Sequence, residues 1–220
     1  MSKESLDRLI EGYREFRKDY IGANYAAYRS WAAKTQTPKI MMIACSDSRI
    51  NPAIVTHAGL GDVFMVNNVA NLVPPYKEGK DTHHSTSAAL EFAVNHLKVE
   101  HVIVMGHSQC GGIKALMTGA AQVNSEIYSF IGPWVDISNR AKERTLQKYP
   151  GQSQEEQCRH CEKESLLVSL ENLKTFPWVK NALDARLLAL HAWHFDVETG
   201  DIDYYSENKE KFLPLLESEE

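Results

Sequence analysis

The chain has 220 residues, of which 43% are hydrophobic and 24% are charged, which excludes a disordered or collagen-like protein. Four cysteines are too few for a small secreted scaffold held by disulfides, and the formal net charge of -5 gives no overall attraction to nucleic acid. No stretch approaches twenty apolar residues, so we expect no membrane span. The first residues carry no apolar signal core, and we expect a cytoplasmic protein.

The first elements along the chain are helical. Apolar residues recur at helical spacing over 5–33, which predicts two helices in an N-terminal arm over 1–35. Three short apolar runs, at 39–44, 63–66 and 101–105, then predict buried parallel strands. An amphipathic helix is expected at 85–97, between the second and third strands. Strands that alternate with helices predict an α/β fold with a mostly parallel central sheet flanked by helices.

The second half of the chain is predominantly helical. Beyond residue 113 we expect long helices, two of them joined by a polar stretch at 148–157. A strand at 187–197, a tight turn and a short run at 202–205 predict a C-terminal antiparallel edge strand. Because the polar stretch is too short and isolated to mark a domain boundary, we expect a single domain over residues 1–220.

Two of the predicted strands end in potential metal ligands. Cys45 follows the first apolar run, and His107 and Cys110 follow the third. Because the carboxyl ends of parallel strands meet at one edge of a sheet, these side chains are expected to lie together. Thiolate and imidazole are the usual ligands of zinc, and three protein ligands with an open fourth position are typical of a catalytic site. The pattern therefore predicts a catalytic zinc centre.

Asp47 and Arg49 alternate with Cys45 along an extended segment, so their side chains can point to the same side. Asp47 could bind the metal as a fourth ligand, or it could accept a hydrogen bond from a zinc-bound hydroxide. A bidentate pair with Arg49 favours the second role and confines metal binding by Asp47 to an inactive, closed state. An ordinary salt bridge at a turn is the simpler interpretation of the pair by itself.

The same residues allow other interpretations. His107 and Cys110 could form a structural zinc site with Cys158 and Cys161, although these two cysteines lie beyond a polar connector at the start of a helix. Cys158 and Cys161 lack the strand context of a thioredoxin-like redox pair. Cys45 with His107 as its base could make a thiol hydrolase. A zinc-stabilised interaction module is the non-enzymatic alternative.

The motif Cys-Ser-Asp-Ser-Arg at 45–49, followed by His-Ser-Gln-Cys-Gly-Gly at 107–112, resembles the β-class carbonic anhydrases. The resemblance continues through further motifs in the family's order, at 36–39, 68–76, 88–94, 161–165, 169–173 and 176–177. It is closest to the plant-type branch of the family. It implies zinc-dependent, reversible hydration of carbon dioxide to bicarbonate and a proton, in a homodimer or an assembly of dimers.

The resemblance also implies a role for single residues. Zinc would be held by Cys45, His107 and Cys110, and Asp47 and Arg49 would form a catalytic dyad. The residues implied to bind substrate are Gln36, Phe64, Val69 and Phe92. Three positions depart from the family's pattern, with Phe92 in place of a tyrosine, Asn67 in place of an arginine and Ser85 in place of a glycine.

Overall fold

The computed structural model describes residues 3–22, 25–77, 84–120 and 130–216. The chain forms two compact units, Met1–Gln36 and Thr37–Glu220. The first unit contains helix α1 (Lys3–Phe16), a π-helical stretch (Arg17–Gly22) and helix α2 (Tyr25–Ala32), which confirms the two predicted N-terminal helices. One face of α1 carries exposed apolar side chains at helical spacing, namely Leu6, Leu9, Ile10 and Tyr13.

The second unit begins with alternating strands and helices. These are β1 (Ile40–Cys45), α3 (Pro52–Val55), β2 (Val63–Asn68), α4 (Ser85–Glu91, continued as a π-helix by Phe92–Leu97) and β3 (His101–His107). The described residues that follow form helices α5 (Gly111–Thr118), α6 (Ile131–Val135), α7 (Asn139–Lys148), α8 (Gln154–Leu173) and α9 (Pro177–Asp184). The last elements are β4 (Ala189–Phe195), β5 (Ile202–Ser206) and β6 (Lys211–Pro214). Within the described ranges, no helix is long and apolar enough to cross a membrane.

The six strands form one sheet in the order β2-β1-β3-β4-β5-β6. The first four strands pair in parallel, and β5 and β6 add antiparallel pairs, so the predicted mostly parallel sheet is confirmed. Strand β6, which pairs with β5 and forms this edge of the sheet, was not predicted from the sequence. This strand has only four residues and is exposed at both ends, at Lys211 and Pro214, so it lacks the apolar run that marks a buried strand.

The sheet is buried on both faces, as the side chains of β1 show. Met41 and Ile43 point into one hydrophobic cluster, and Met42 and Ala44 point into another on the opposite face. Helices α5, α6 and α7 complete the cluster around Met42, α4 and α9 complete the one around Met41, and α8 contributes to both. Parallel strands covered on both faces have nearly continuous apolar sequences, which is why the apolar runs located them.

The packing of α5 against the end of β2 yields a first testable prediction. A Cβ atom added at Gly112 would lie 2.9 Å from both the Val69 Cγ1 and the Ala70 Cβ atoms. We expect Gly112→Ala to lower the free energy of unfolding by about 1–3 kcal/mol, since overpacking forces neighbouring groups to shift. Urea denaturation monitored by circular dichroism measures the change.

The neighbouring glycine provides a matched control. A Cβ atom at Gly111 would meet no atom within 4 Å in the part of the chain that the structure describes. We therefore expect Gly111→Ala to leave the urea midpoint unchanged or slightly raised, because alanine reduces the entropy of the unfolded chain. Equal midpoints for the two variants would contradict tight packing at Gly112.

Candidate metal centre

The three predicted ligands come together at the carboxyl ends of two neighbouring strands. Cys45 ends β1 and His107 ends β3, and Cys110 lies in the turn that leads into α5. The Sγ atoms of Cys45 and Cys110 are 4.0 Å apart, and the ligand atoms of all three residues lie within 4.8 Å of one another. All three side chains are buried. This is the one such group of three in the described ranges, so the alternative zinc site with Cys158 and Cys161 does not form.

The geometry and chemistry of this triad fit zinc. Two sulfur ligands of a tetrahedral zinc ion, each about 2.3 Å from the metal, are about 3.8 Å apart. The His107 ring donates from Nδ1 to the Ser108 carbonyl oxygen at 2.8 Å, which leaves Nε2 with a free lone pair. That Nε2 atom is buried and has no hydrogen-bond partner among the described residues. Two cysteine sulfurs and one such imidazole are a donor set that zinc prefers.

Backbone and side-chain hydrogen bonds hold the ligands in place. The backbone N–H of Ala70 donates to the Cys45 Sγ atom at 3.3 Å, and the Asn67 side chain donates to the Cys45 carbonyl oxygen at 3.0 Å. The Cys110 N–H donates to Glu162 Oε1 at 3.0 Å. Asn67 is thus a structural support where the family pattern has arginine. Glu162, which is only 3% exposed, belongs to the motif at 161–165, but nothing in that motif indicates its contact with Cys110.

Asp47 and Arg49 form the bidentate pair that their spacing predicts. The backbone N–H and the Nε–H of Arg49 each donate to Asp47 Oδ1 at 2.9 Å, and one terminal nitrogen donates to Asp47 Oδ2 at 2.8 Å. Asp47 Oδ2 lies 3.9 Å from the Nε2 atom of His107. The carboxylate is therefore beside the triad and already holds a cation through both of its oxygens.

These contacts lower the pKa values of Asp47 and Cys45 and raise that of Cys110. Hydrogen bonds from Arg49 hold the pKa of Asp47 well below its ordinary value. The hydrogen bond from the Cys110 thiol is the largest cause that lowers the pKa of Cys45 well below its ordinary value, and the same bond together with burial raises the pKa of Cys110. Since the thiolate is the form that binds metal, the site already stabilises one anionic sulfur ligand.

Of the predicted substrate-binding residues, Val69 lies beside the triad. It follows the end of β2, where Asn68 pairs with Cys45, and its side chain borders Gly112. Val69 is 39% exposed, and its carbonyl oxygen accepts a hydrogen bond from the indole of Trp134 at 2.7 Å. An apolar side chain is thus available next to the metal ligands.

Phe64 and Phe92 lie elsewhere in the same chain. Their ring centroids are 5.9 Å apart, and Phe64 packs on the sheet face that carries Met41. Cys45 belongs to the cluster on the other face. Phe64 also precedes Asn68 by four residues, which is about 13 Å along a strand. The structure therefore does not bring this aromatic pair to the triad of its own chain. Gln36 is exposed and ends the first unit.

Comparisons with known proteins agree with this site. The model of the carbonic anhydrase family matches residues 40–202. Beta carbonic anhydrase 3 of Arabidopsis thaliana is 39% identical over 202 residues, which are 92% of this chain and 77% of that protein. The chloroplastic beta carbonic anhydrase 5 of the same plant is 39% identical over 211 residues, which are 94% of this chain and 68% of that protein.

Solved structures give the same result. The β-carbonic anhydrase CcaA has a TM-score of 0.88 and 30% identity, with 96% of this chain and 99% of that chain covered. A tetrameric β-carbonic anhydrase of the fungus Sordaria macrospora has a TM-score of 0.78 and 25% identity, with 92% of this chain and 97% of that chain covered. These matches favour hydration of carbon dioxide over the thiol hydrolase and the interaction module. The chain thus belongs to the β-class carbonic anhydrases, close to their plant-type branch, and uses zinc to hydrate carbon dioxide reversibly to bicarbonate and a proton.

Proposed function

We propose that Cys45, His107 and Cys110 hold the zinc ion of this enzyme and that Asp47 and Arg49 are its catalytic pair. Zinc bound there supplies a Lewis acid that activates a water molecule near neutral pH. The proposal is based on the bidentate contact, at 2.8 and 2.9 Å, between Arg49 and the Asp47 carboxylate beside the triad. With zinc bound, the thiolates of Cys45 and Cys110 would neutralise the charge of Zn²⁺, so a further anionic ligand would make the site net negative.

In this proposal Arg49 keeps Asp47 ionised and away from the metal. Asp47 Oδ1 accepts two hydrogen bonds from Arg49 and Oδ2 accepts one, so Oδ2 has a second lone pair that can accept a hydrogen bond from the attacking water. That hydrogen bond orients the lone pair of the water toward the carbon atom of carbon dioxide. If the guanidinium moved away, the Asp47 carboxylate would be free to bind the metal as a fourth ligand, which would give the inactive, closed state.

We further propose that a second copy of the chain completes the substrate cleft. Phe64 and Phe92 face away from the triad of their own chain, and Phe92 is 41% exposed. Strand β2 is an edge of the sheet, and its Met65 side chain, on the face opposite to Phe64, is 42% exposed, so this edge presents an exposed apolar side chain. A homodimer, alone or within an assembly of dimers, would bring Phe64 and Phe92 of one subunit to Val69 of the other. The tetrameric Sordaria relative supports assembly of this kind.

Active-site complementation tests this arrangement. Cys110→Ala removes a metal ligand, and the double variant Phe64→Ala/Phe92→Ala removes the apolar wall, so each protein is expected to be weakly active alone. Random mixing of subunits gives mixed dimers in which one site has every group, so about a quarter of all sites recover. Stopped-flow measurement of carbon dioxide hydration, before and after subunit exchange, detects the gain. If the mixture is no more active than the sum of its parents, the wall does not come from the partner.

Two further assignments concern Gln36 and the cellular compartment. Gln36 is proposed to donate a hydrogen bond to a substrate oxygen, on the family resemblance of its motif at 36–39. All four cysteines are unpaired, which supports a reducing compartment, and we propose the cytoplasm. Fractionation of the source cells, followed by immunodetection, tests the compartment.

A further inference from the structure

Gln109 lies between two charged side chains in the turn that carries the metal ligands. A terminal nitrogen of Arg49 donates to Gln109 Oε1 at 3.1 Å, and Gln109 Nε2 donates to Glu198 Oε1 at 2.5 Å. A guanidinium can only donate and a carboxylate can only accept, so these two charges fix the orientation of the amide between them. The side chain of Gln109 thus connects Glu198 to Arg49.

The backbone of Gln109 binds the same guanidinium. Its carbonyl oxygen accepts from the Arg49 nitrogen that also binds Asp47, at 3.1 Å. Gln109 has a φ of 60°, in the left-handed region that residues with a side chain seldom adopt. In this conformation both oxygens of one residue contact Arg49. Together with Asp47, Gln109 occupies four of the five N–H groups of the guanidinium.

Glu198 is held in place by the turn between β4 and β5. Its backbone N–H donates to Asp196 Oδ1 at 2.8 Å. The Ser108 hydroxyl donates to the same Asp196 oxygen at 3.3 Å and accepts from the N–H of Val197 at 2.9 Å. The turn that carries Glu198 is therefore tied to the residue next to Gln109. The contact between Gln109 and Glu198 joins two anchored segments.

We propose that Gln109 and Glu198 are positioning residues that hold Arg49 in its contact with Asp47, an inference that rests on the catalytic role proposed for that pair. The side chain of Arg49 is 46% exposed, so without these partners it would gain rotamers in solvent. The negative charge of Glu198 polarises the Gln109 amide and strengthens its acceptance from the guanidinium. Asp47 is then oriented before substrate arrives.

The test uses the zinc-loaded enzyme and two readouts. Gln109→Met keeps the length of the side chain and removes its amide, and Glu198→Ala removes the charge. The solvent exchange of the Arg49 Nε–H proton, followed by ¹H–¹⁵N NMR and assigned with Arg49→Lys, reports how firmly the guanidinium is held. In Gln109→Met we expect exchange to accelerate and kcat/KM to fall, each roughly fivefold, with zinc content unchanged. Glu198→Ala should give smaller changes in the same direction.

Three further variants distinguish the proposed positioning role from other effects of the substitutions. Adding Glu198→Ala to Gln109→Met should have no further effect, because Glu198 acts through the amide. Asp201→Asn removes a charge from the same turn at an exposed residue, and should match the parent enzyme. Gln109→Asn provides a second variant, since asparagine tolerates the left-handed conformation but its shorter amide cannot span both charges. It should reproduce the effect of Gln109→Met.

Unchanged exchange and unchanged kcat/KM in both Gln109→Met and Gln109→Asn would overturn the inference. Arg49→Ala, measured in the same series, separates this failure from that of the proposed function. If Arg49→Ala loses activity while the Gln109 variants do not, only the positioning role is wrong. If Arg49→Ala itself keeps full turnover, the catalytic pair is wrong.

Discussion

Replacement of Cys110 by alanine will remove zinc and carbon dioxide hydration together. Cys110 is 2% exposed and its sulfur lies 4.0 Å from that of Cys45, so its loss leaves one sulfur and one imidazole, too few ligands for a stable catalytic zinc site. Without the Lewis acid, we expect activity to fall at least about a thousandfold. Metal analysis of the purified protein and a stopped-flow hydration assay measure the two losses on the same sample.

Cys161→Ala is the matched control for this experiment. Cys161 is buried in the same hydrophobic cluster as Cys110, and burial raises its pKa to about 12, so it remains a thiol. Its replacement should cost stability, through a small cavity, but leave zinc content and turnover at parental levels. Full zinc content in Cys110→Ala would move the metal site away from this triad.

Asp47→Asn should retain zinc but lose about a hundredfold in kcat/KM, because an oriented charged acceptor is removed from the site. Hydrogen bonds from Arg49 keep the pKa of Asp47 far below neutrality, so the carboxylate is ionised at every pH at which the enzyme works. The loss should therefore be constant from about pH 6 to about pH 9. Hydration rates measured across this range, with zinc content determined in parallel, check the prediction.

The same substitution has a predictable effect on stability. Because folding lowers the pKa of Asp47, the ionised carboxylate stabilises the folded state at neutral pH, and this contribution disappears as the pH falls through its folded pKa. The urea midpoints of parent and Asp47→Asn should therefore differ at neutral pH and converge in acid. The single variant Arg49→Lys should also lose catalytic activity, although it keeps the positive charge, since an ammonium cannot form the bidentate pair with Asp47. If Asp47→Ala left both turnover and zinc unchanged, the catalytic pair would have to be abandoned.

The central strands and the metal ligands were predictable from sequence for one physical reason. A parallel strand buried on both faces needs an uninterrupted apolar run, and the residue after such a run lies at the carboxyl edge of the sheet. Cys45 and His107 occupy these positions, so the local patterns were sufficient to predict that these two distant residues lie close together. The pairing of Asp47 with Arg49 was predictable because both lie in the same short segment.

Other features depend on contacts that leave no local pattern. Strand β6 is held by pairing with β5 rather than by burial of an apolar run. Glu162 meets the backbone of Cys110 across the fold, and Gln109 meets Glu198 at a separation of 89 residues. The motif that contains Phe92 does not indicate on which side of the fold its ring lies, because helix packing decides that side.

The attachment of two ligands to neighbouring strands has a consequence for folding. Cys45 and His107 are 62 residues apart in the sequence and meet only when β1 and β3 pair with Ala44 opposite Met105. A slip of one residue would shift one ligand by about 3.3 Å and turn its side chain to the other face. A bound metal would close this long loop, and it would stabilise only the correct register, because only that register brings the two ligands together. Zinc binding would therefore favour the chain with correctly paired strands, and a chain with mispaired strands would remain without metal and without activity.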